Sequence, residues 1–280
     1  MSNSTSAIHP TAIIDPSSEL ADDVRVGAYA VIGPNCVIGA GTTIGPQVVI
    51  EEFTHLGDNC RVRAGAVLGG PPQDNKFKGE RSYLKVGSNN RICEFVTLHR
   101  ATGEEAETLV GNDNLIMAYA HVGHNSRVGN GVTMANNVAL GGHATVEDAA
   151  VIGGLVGIHQ FVRIGKLAMV GSHSKVPQDV PPFMLVDGRP ADVLDLNVVG
   201  LRRAGIKPRP RAALRHAYKL LYRSNLNVTQ ALAAIEQEVE PADEVKYLVA
   251  FMQRVKDGHV GPAGRPAPSV VLTTLMSDIG

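Results

Sequence analysis

Residues 8–190 are expected to fold as a left-handed parallel β-helix of hexapeptide repeats, followed by a small α-helical domain over 191–257. Three observations predict this: an aliphatic residue at every sixth position, a small or β-branched residue four places after each, and helical spacing beyond residue 190.

The six-residue phase runs Ile8, Ile14, Leu20, Val26, Ile32, Ile38 and onward to Ile164, Val170 and Val176. Of its 29 positions, 26 carry Ile, Leu, Val or Met, where the chain's hydrophobic content alone would place about 13. The second position holds Ala12, Ser18, Val24, Ala30, Cys36 and Thr42. Each unit therefore has one large and one small inward residue and reads as a short strand plus a corner. Three units close a triangular coil of 18 residues, and coils stack at the strand spacing of about 4.8 Å. A helix would need a period of about 3.6. Gly often follows the large residue, as in VGAYAV, IGPNCV and IGAGTT, and Gly and Asn are expected to relieve the tight corners.

The phase fails at Asp74, Glu80 and Glu104, inside the polar stretches GGPPQDNKFKGERSY and HRATGEEAET. These read as two loops, 69–85 and 99–109, thrown out from the coil, and insertions of this kind are where solenoids carry function. A polar tail, 1–7, precedes the repeats. Beyond them, RAALRHAYKLLYRS, NVTQALAAIEQEV and PADEVKYLVAFMQRV have helical spacing, with Asn227 as a cap and acids in the last helix's first turn. Residues 258–280 form a Gly/Pro-rich tail.

With 26 basic and 27 acidic residues the chain is close to neutral, which argues against nucleic acid as partner. No apolar run reaches membrane-spanning length and no signal-type segment leads the chain, so a cytoplasmic protein is expected. Cys36, Cys60 and Cys93 lack metal-ligand spacing and read as buried thiols.

His124, His143 and His159 lie 19 and 16 residues apart, close to one coil, so they should climb one side of the prism, with His121 beside them. Such a column could hold a base that deprotonates a hydroxyl, or bind a metal that activates water. Spacing alone leaves both open. The segment 202–223 carries eight Lys or Arg and no acid, a surface fit to attract an acidic partner.

Over residues 7–257 the sequence also resembles the acyl-carrier-protein-dependent UDP-N-acetylglucosamine O-acyltransferases that begin lipid A synthesis. The matching runs are QDNK (73–76), VTLHR (96–100), DNLIMAYAHVGHN (113–125), ANNVALGGH (135–143), IHQF (158–161), QDVPPF (178–183), NVVGLRRAG (197–205) and AYKLLYRS (217–224). The resemblance implies a homotrimer with sites between prisms, no cofactor and no metal, and transfer of a 3-hydroxylated acyl chain from acyl carrier protein to the sugar 3-hydroxyl. His124 matches the general base, with Asn125 beside it. Asp74, Lys76, His121, His143, His159, Gln160, Asn197 and Arg203 match substrate-contacting positions, and Ser172 a position that measures acyl length. Acyl carrier protein would dock on 202–223. A thioester is already activated, so a base, positioning and oxyanion stabilisation suffice.

The chain departs from the family at Asn125, where Asp is usual, and at Val199 and Ala204, where Glu and Arg are usual. The first predicts slower turnover; the others alter the nucleotide contacts and leave a modified nucleotide sugar as an alternative acceptor. Other hexapeptide readings are a carbonic anhydrase-like β-helix, which needs histidines converging between subunits, and a scaffold without activity. The later N-acyltransferases of the same pathway carry an additional N-terminal domain, whereas repeats here start at Ile8.

Overall fold

The computed structural model describes residues 7–256; the expected polar tail before Ala7 and the Gly/Pro-rich tail 258–280 lie outside the described residues. The chain winds through short strands that stack into three parallel walls, each strand pairing with the one three further along the sequence. Wall one begins with Ala7–Ile8, wall two with Ile13–Ile14 and wall three with Glu19–Leu20. Corner one joins walls one and two, corner two joins walls two and three, and corner three returns to wall one.

The hexad residues fill the prism axis. Ile32, Ile44, Leu68, Ile92, Ile116, Leu140 and Ile164 are at most 1 % exposed, and the small positions Ala30, Cys36, Thr42 and Cys60 lie wholly inside. Polar residues at the small position are satisfied by the next coil: Thr42 Oγ1 donates to the Gly57 carbonyl (2.9 Å) and accepts from the Cys60 N–H (3.0 Å).

Register explains why the six-residue phase survives the loops. Ala7 pairs with Arg25, 18 residues on, but Arg61 pairs with Arg91, 30 on, and Arg91 with Leu115, 24 on. Loop one thus adds twelve residues and loop two six, whole numbers of repeats. The two phase positions lost in the first are Asp74 and Glu80; the one lost in the second is Glu104. Both loops leave corner two, between Val67–Gly70 and Tyr83–Val86 and between Thr97–His99 and Glu107–Val110.

Gly41, Gly65 and Gly131 take the left-handed corner position, as expected of glycine, but the glycines that follow the large residue do a different job. The left-handed corner position is taken by Tyr29, Phe95, Tyr119, His143 and Phe161 as readily as by Asn. Gly after the large residue is required instead by close approach of coils: a Cβ on Gly141 would sit 2.7 Å from the Gln160 nitrogen, and one on Gly111 2.6 Å from the Gly129 carbonyl oxygen.

The stretch 191–196, expected within the helical part, forms the strand Ala191–Leu196, which folds back antiparallel on Met184–Gly188 and ends wall one. Its Val193 and Leu196 are buried and its backbone pairs with Met184–Gly188, so tertiary pairing overrides helix formation. Four helices follow: α1 (Val198–Arg203), α2 (Pro208–Tyr222), α3 (Val228–Glu238) and α4 (Asp243–Lys256). A capping box of Asn227 and Gln230 starts α3.

Helix α4 docks on wall three. Tyr247 Oη donates to Glu147 (2.8 Å), Glu147 pairs with Arg163, and the Arg163 guanidinium lies 4.9 Å over the Phe251 ring. Beneath them Asp179, 2 % exposed, accepts the Arg163 N–H (2.7 Å), while its other oxygen has no partner among the described residues. Burial pushes this carboxyl up to about 7. Between the ordinary carboxylate range and that value the folded chain holds a proton the unfolded chain has released, so stability falls as pH rises through the window. Asp179→Asn should therefore stabilise the protein at pH 8, by roughly 2–4 kcal/mol, and change little at pH 4; thermal unfolding at both pH values checks it.

Candidate active site at corner two

His124 and Asn125 form the corner of one coil, Gly142 and His143 that of the next, and Gln160 and Phe161 that of the third. Asn125, His143 and Phe161 share the left-handed conformation. His124 projects over Gly142, where a Cβ would lie 2.6 Å from its Nε2. Its ring meets His143 edge to face, centroids 5.2 Å apart, and His143 stacks on Phe161 at 4.8 Å. Glycine at 142 makes room for the imidazole.

The expected column is therefore staggered. His124 and His143 occupy different places within their corners, and His159 stands one residue before its corner, with Nδ1 3.0 Å from the carbonyl of Gln160. His121 lies on wall two, Nδ1 2.8 Å from Thr97 Oγ1, with its ring against His99 at 5.1 Å. Burial and the neighbouring His99 and His124 push His121 down to about 4. Burial likewise lowers His99 and His143. These three rings are thus neutral at pH 7, and around His124 they add hydrogen-bonding capacity rather than charge.

The hydrogen bonds of Asn125 fix the state of His124. Asn125 Oδ1 accepts the Thr102 N–H (2.9 Å), and its Nδ2 donates to the Thr102 carbonyl (3.0 Å), so the amide can face only one way. Oδ1 also lies 2.8 Å from His124 Nδ1. Since Oδ1 is an acceptor, Nδ1 carries the proton, and in the neutral ring Nε2 keeps the lone pair that a base requires.

Loop one brings Asp74 and Lys76 to the same corner. Asp74 Oδ1 accepts the Lys76 N–H (3.0 Å), which holds the carboxyl below its usual range, assisted by the nearby His124. Phe77 in this loop lies under the guanidinium of Arg100, 5.5 Å from its ring centroid, and Arg100 reaches Glu52 at 2.8 Å. Asp74, Lys76, His121, His124, Asn125, His143, His159 and Gln160 thus gather at or beside corner two.

Three expected residues lie elsewhere. Ser172 is exposed at corner one, on the other edge of wall two. Asn197 is 9 % exposed and its amide is occupied: Oδ1 caps α1 at Gly200 (2.9 Å) and Nδ2 donates to Leu167 (2.9 Å) near corner three. These bonds give the side chain a structural task. Arg203 is exposed in the last turn of α1. Of the basic segment, Arg209 pairs with Glu240, Arg215 with Asp195, and Arg223 donates to the Leu194 carbonyl; Arg202, Arg203, Lys207 and Lys219 are exposed and form no ion pair among the described residues.

Sequence reasoning missed His99, Thr97 and Thr102. His99 stands 22 residues before His121, and the six-residue insertion of loop two hides a stacking that an 18-residue count would have exposed.

The repeated coil and the corner of histidines place the chain among the hexapeptide transferases, and the repeat family, described as bacterial transferase hexapeptide, matches at residues 5–40, 35–70 and 107–142. A second family, described as UDP-N-acetylglucosamine O-acyltransferase, domain 2, matches residues 179–260. An acyl-[acyl-carrier-protein]–UDP-N-acetylglucosamine O-acyltransferase of Stenotrophomonas maltophilia is 44 % identical over 91 % of this chain and 98 % of its own. One from Gloeothece citriformis is 51 % identical over 170 residues, and that match spans 62 % of the relative's length. The solved structure of LpxA from Acinetobacter baumannii superposes with a TM-score of 0.85 at 40 % identity, covering 88 % of this chain and 96 % of that one. The chain belongs to the UDP-N-acetylglucosamine O-acyltransferase family, and its fold is the left-handed β-helix with a helical C-terminal part.

Proposed function

We propose that this protein transfers a 3-hydroxylated fatty acyl chain from the thioester of acyl carrier protein to the 3-hydroxyl of UDP-N-acetylglucosamine, the first step of lipid A biosynthesis, in the cytoplasm. The observation that carries the reading is the His124–Asn125 pair: an imidazole with its proton held at Nδ1 and its Nε2 lone pair free. Nε2 takes the proton of the sugar hydroxyl as that oxygen attacks the thioester carbonyl. The new C–O bond forms, the C–S bond breaks, and the imidazolium returns its proton to the leaving thiolate. Lys76 and Asp74 hold the sugar nucleotide over the corner, and the neutral His121 and His143 supply hydrogen bonds.

The homotrimer is part of the proposal. Ser172 at corner one and Arg203 near corner three cannot share a cleft with His124 inside one prism, and a neighbouring copy brings such corners together. The outward residues of wall two begin Ile13, Val31, Val49 and Val67, and Ile13 is 66 % exposed, an apolar strip suited to another copy. Acyl carrier protein, being acidic, docks on Arg202, Arg203, Lys207 and Lys219.

Incubation of the purified trimer with UDP-sugars and a panel of acyl carrier protein thioesters tests the assignment by mass spectrometry. Acylated UDP-N-acetylglucosamine supports it. Acylation of a modified UDP-sugar alone would replace the acceptor, as Val199 on α1 and Ala204 at its C-cap allow, and no acylated sugar from any donor would overturn the transferase reading.

A further inference from the structure

The base is oriented by an element that its own coil does not contain. Loop two, 100–106, lies over corner two and presents the N–H and C=O of Thr102 side by side to the Asn125 amide. The next peptide is latched from loop one: the Gly103 N–H donates to Glu80 Oε1 (2.8 Å), and Glu80 Oε2 accepts the Lys78 N–H (2.8 Å). Gly103 has φ +106°, open to glycine but strained for other residues, so the loop turns at this point and the latch holds the turn. Farther along, the Glu105 N–H donates to the Arg81 carbonyl (2.7 Å) and the two side chains form an ion pair.

An asparagine amide beside a histidine can lie either way round. With its NH2 toward Nδ1, it would make Nδ1 an acceptor and drive the ring proton to Nε2, leaving no lone pair for a substrate hydroxyl. Thr102 removes that alternative, because a flipped amide would set donor against donor and acceptor against acceptor at both contacts. The same pairing explains why asparagine fits here: an aspartate would put a second acceptor against the Thr102 carbonyl.

We propose that loop two is the template that sets the tautomer of His124, with Glu80 as the positioning residue that holds the template to loop one. Glu80 thereby ties Asp74 and Lys76, five or so residues upstream in loop one, to the protonation pattern of the base. The catalytic consequence rests on His124 acting as described under the proposed function; the tautomer itself does not.

The test reads the two separately. In protein labelled with 15N-histidine, with His124 assigned by loss of its signals in His124→Gln, long-range 1H–15N spectra report which ring nitrogen carries the proton. The wild type should show Nδ1–H with a bare Nε2. Glu80→Ala should shift His124 toward Nε2–H or a mixture and lower kcat about 10- to 100-fold, short of the roughly 10⁴-fold of a wholly wrong tautomer because part of the population keeps Nδ1–H. Glu80→Gln, which keeps an acceptor for the Gly103 N–H, should restore much of both. If Glu80→Ala does not fold, Asn125→Ala is read in the same way. An unchanged Nδ1–H signal in the folded Ala variant would overturn the inference. A shifted signal in Glu80→Ala together with a wild type that itself transfers no acyl group would overturn the functional reading and leave the template intact.

Discussion

His124→Gln should leave a folded protein whose acyl transfer is slower by about 10²–10⁴-fold, the range a positioned general base supplies. The expectation follows from geometry. Nε2 carries the free lone pair at corner two, since Thr102 and Asn125 commit Nδ1 as a donor, and the neighbouring rings are poorly suited to take over. His121 is pushed down to about 4 and pairs with Thr97, and His143 is lowered, stacked on Phe161 and edge to face with His124. The loss should fall on kcat with the KM for the sugar nucleotide little changed, because binding is assigned to the loop residues. Retention of more than about a tenth of the rate would assign the base elsewhere.

Gly142→Ala should be nearly as damaging, though it removes no functional group. The added methyl would sit 2.6 Å from His124 Nε2 and 2.9 Å from Cε1, well inside van der Waals contact. The backbone at Gly142 is not in the left-handed region, so alanine strains nothing locally and the fold should persist. The imidazole must swing away, and its bond to Asn125 is the price. Loss of alignment at a base of this kind costs on the order of 10²-fold. Steady-state rates of Gly142→Ala beside the unfolding midpoint decide it: wild-type activity in the variant would show that His124 works from another position.

The fold was legible because each coil repeats one demand, a large residue inward every sixth place, and because both insertions are whole multiples of six. The breaks at Asp74, Glu80 and Glu104 announced the loops. The second role of glycine was missed for a physical reason: proximity of successive coils at Gly111 or Gly141 leaves no trace in a single repeat. Ala191–Leu196 has a strand's burial only because Met184–Gly188 lies beside it.

The site was legible in part. The histidine spacing pointed to one side of the prism, but one histidine in three falls out of ring contact: spacings of 19 and 16 are not one coil of 18, so His143 sits one place later in its corner than His124 and His159 one place before its own. Assignment of His124 as base, and of the substrate loop, came from resemblance rather than from periodicity. The Thr102 peptide could not be found in any motif, since its contribution is main chain and would be the same for most residue types. The part of Asn197 in capping α1 and holding Leu167 could not be read from the resemblance, which gave it only as a substrate contact. Asn125, expected to slow the enzyme as a weaker partner than aspartate, has an amide whose two ends both find partners.

A single-turnover experiment reads acyl transfer by base catalysis at His124 without interference from product release. Excess enzyme is mixed with acyl carrier protein thioester, with and without UDP-N-acetylglucosamine, and free thiol and acylated sugar are followed together. The account predicts thiol and 3-O-acyl sugar appearing at equal rates and in equal amounts, no thiol without the sugar, and neither within the same interval for His124→Gln. Thiol released in the absence of sugar, or an unchanged rate in His124→Gln, would contradict it.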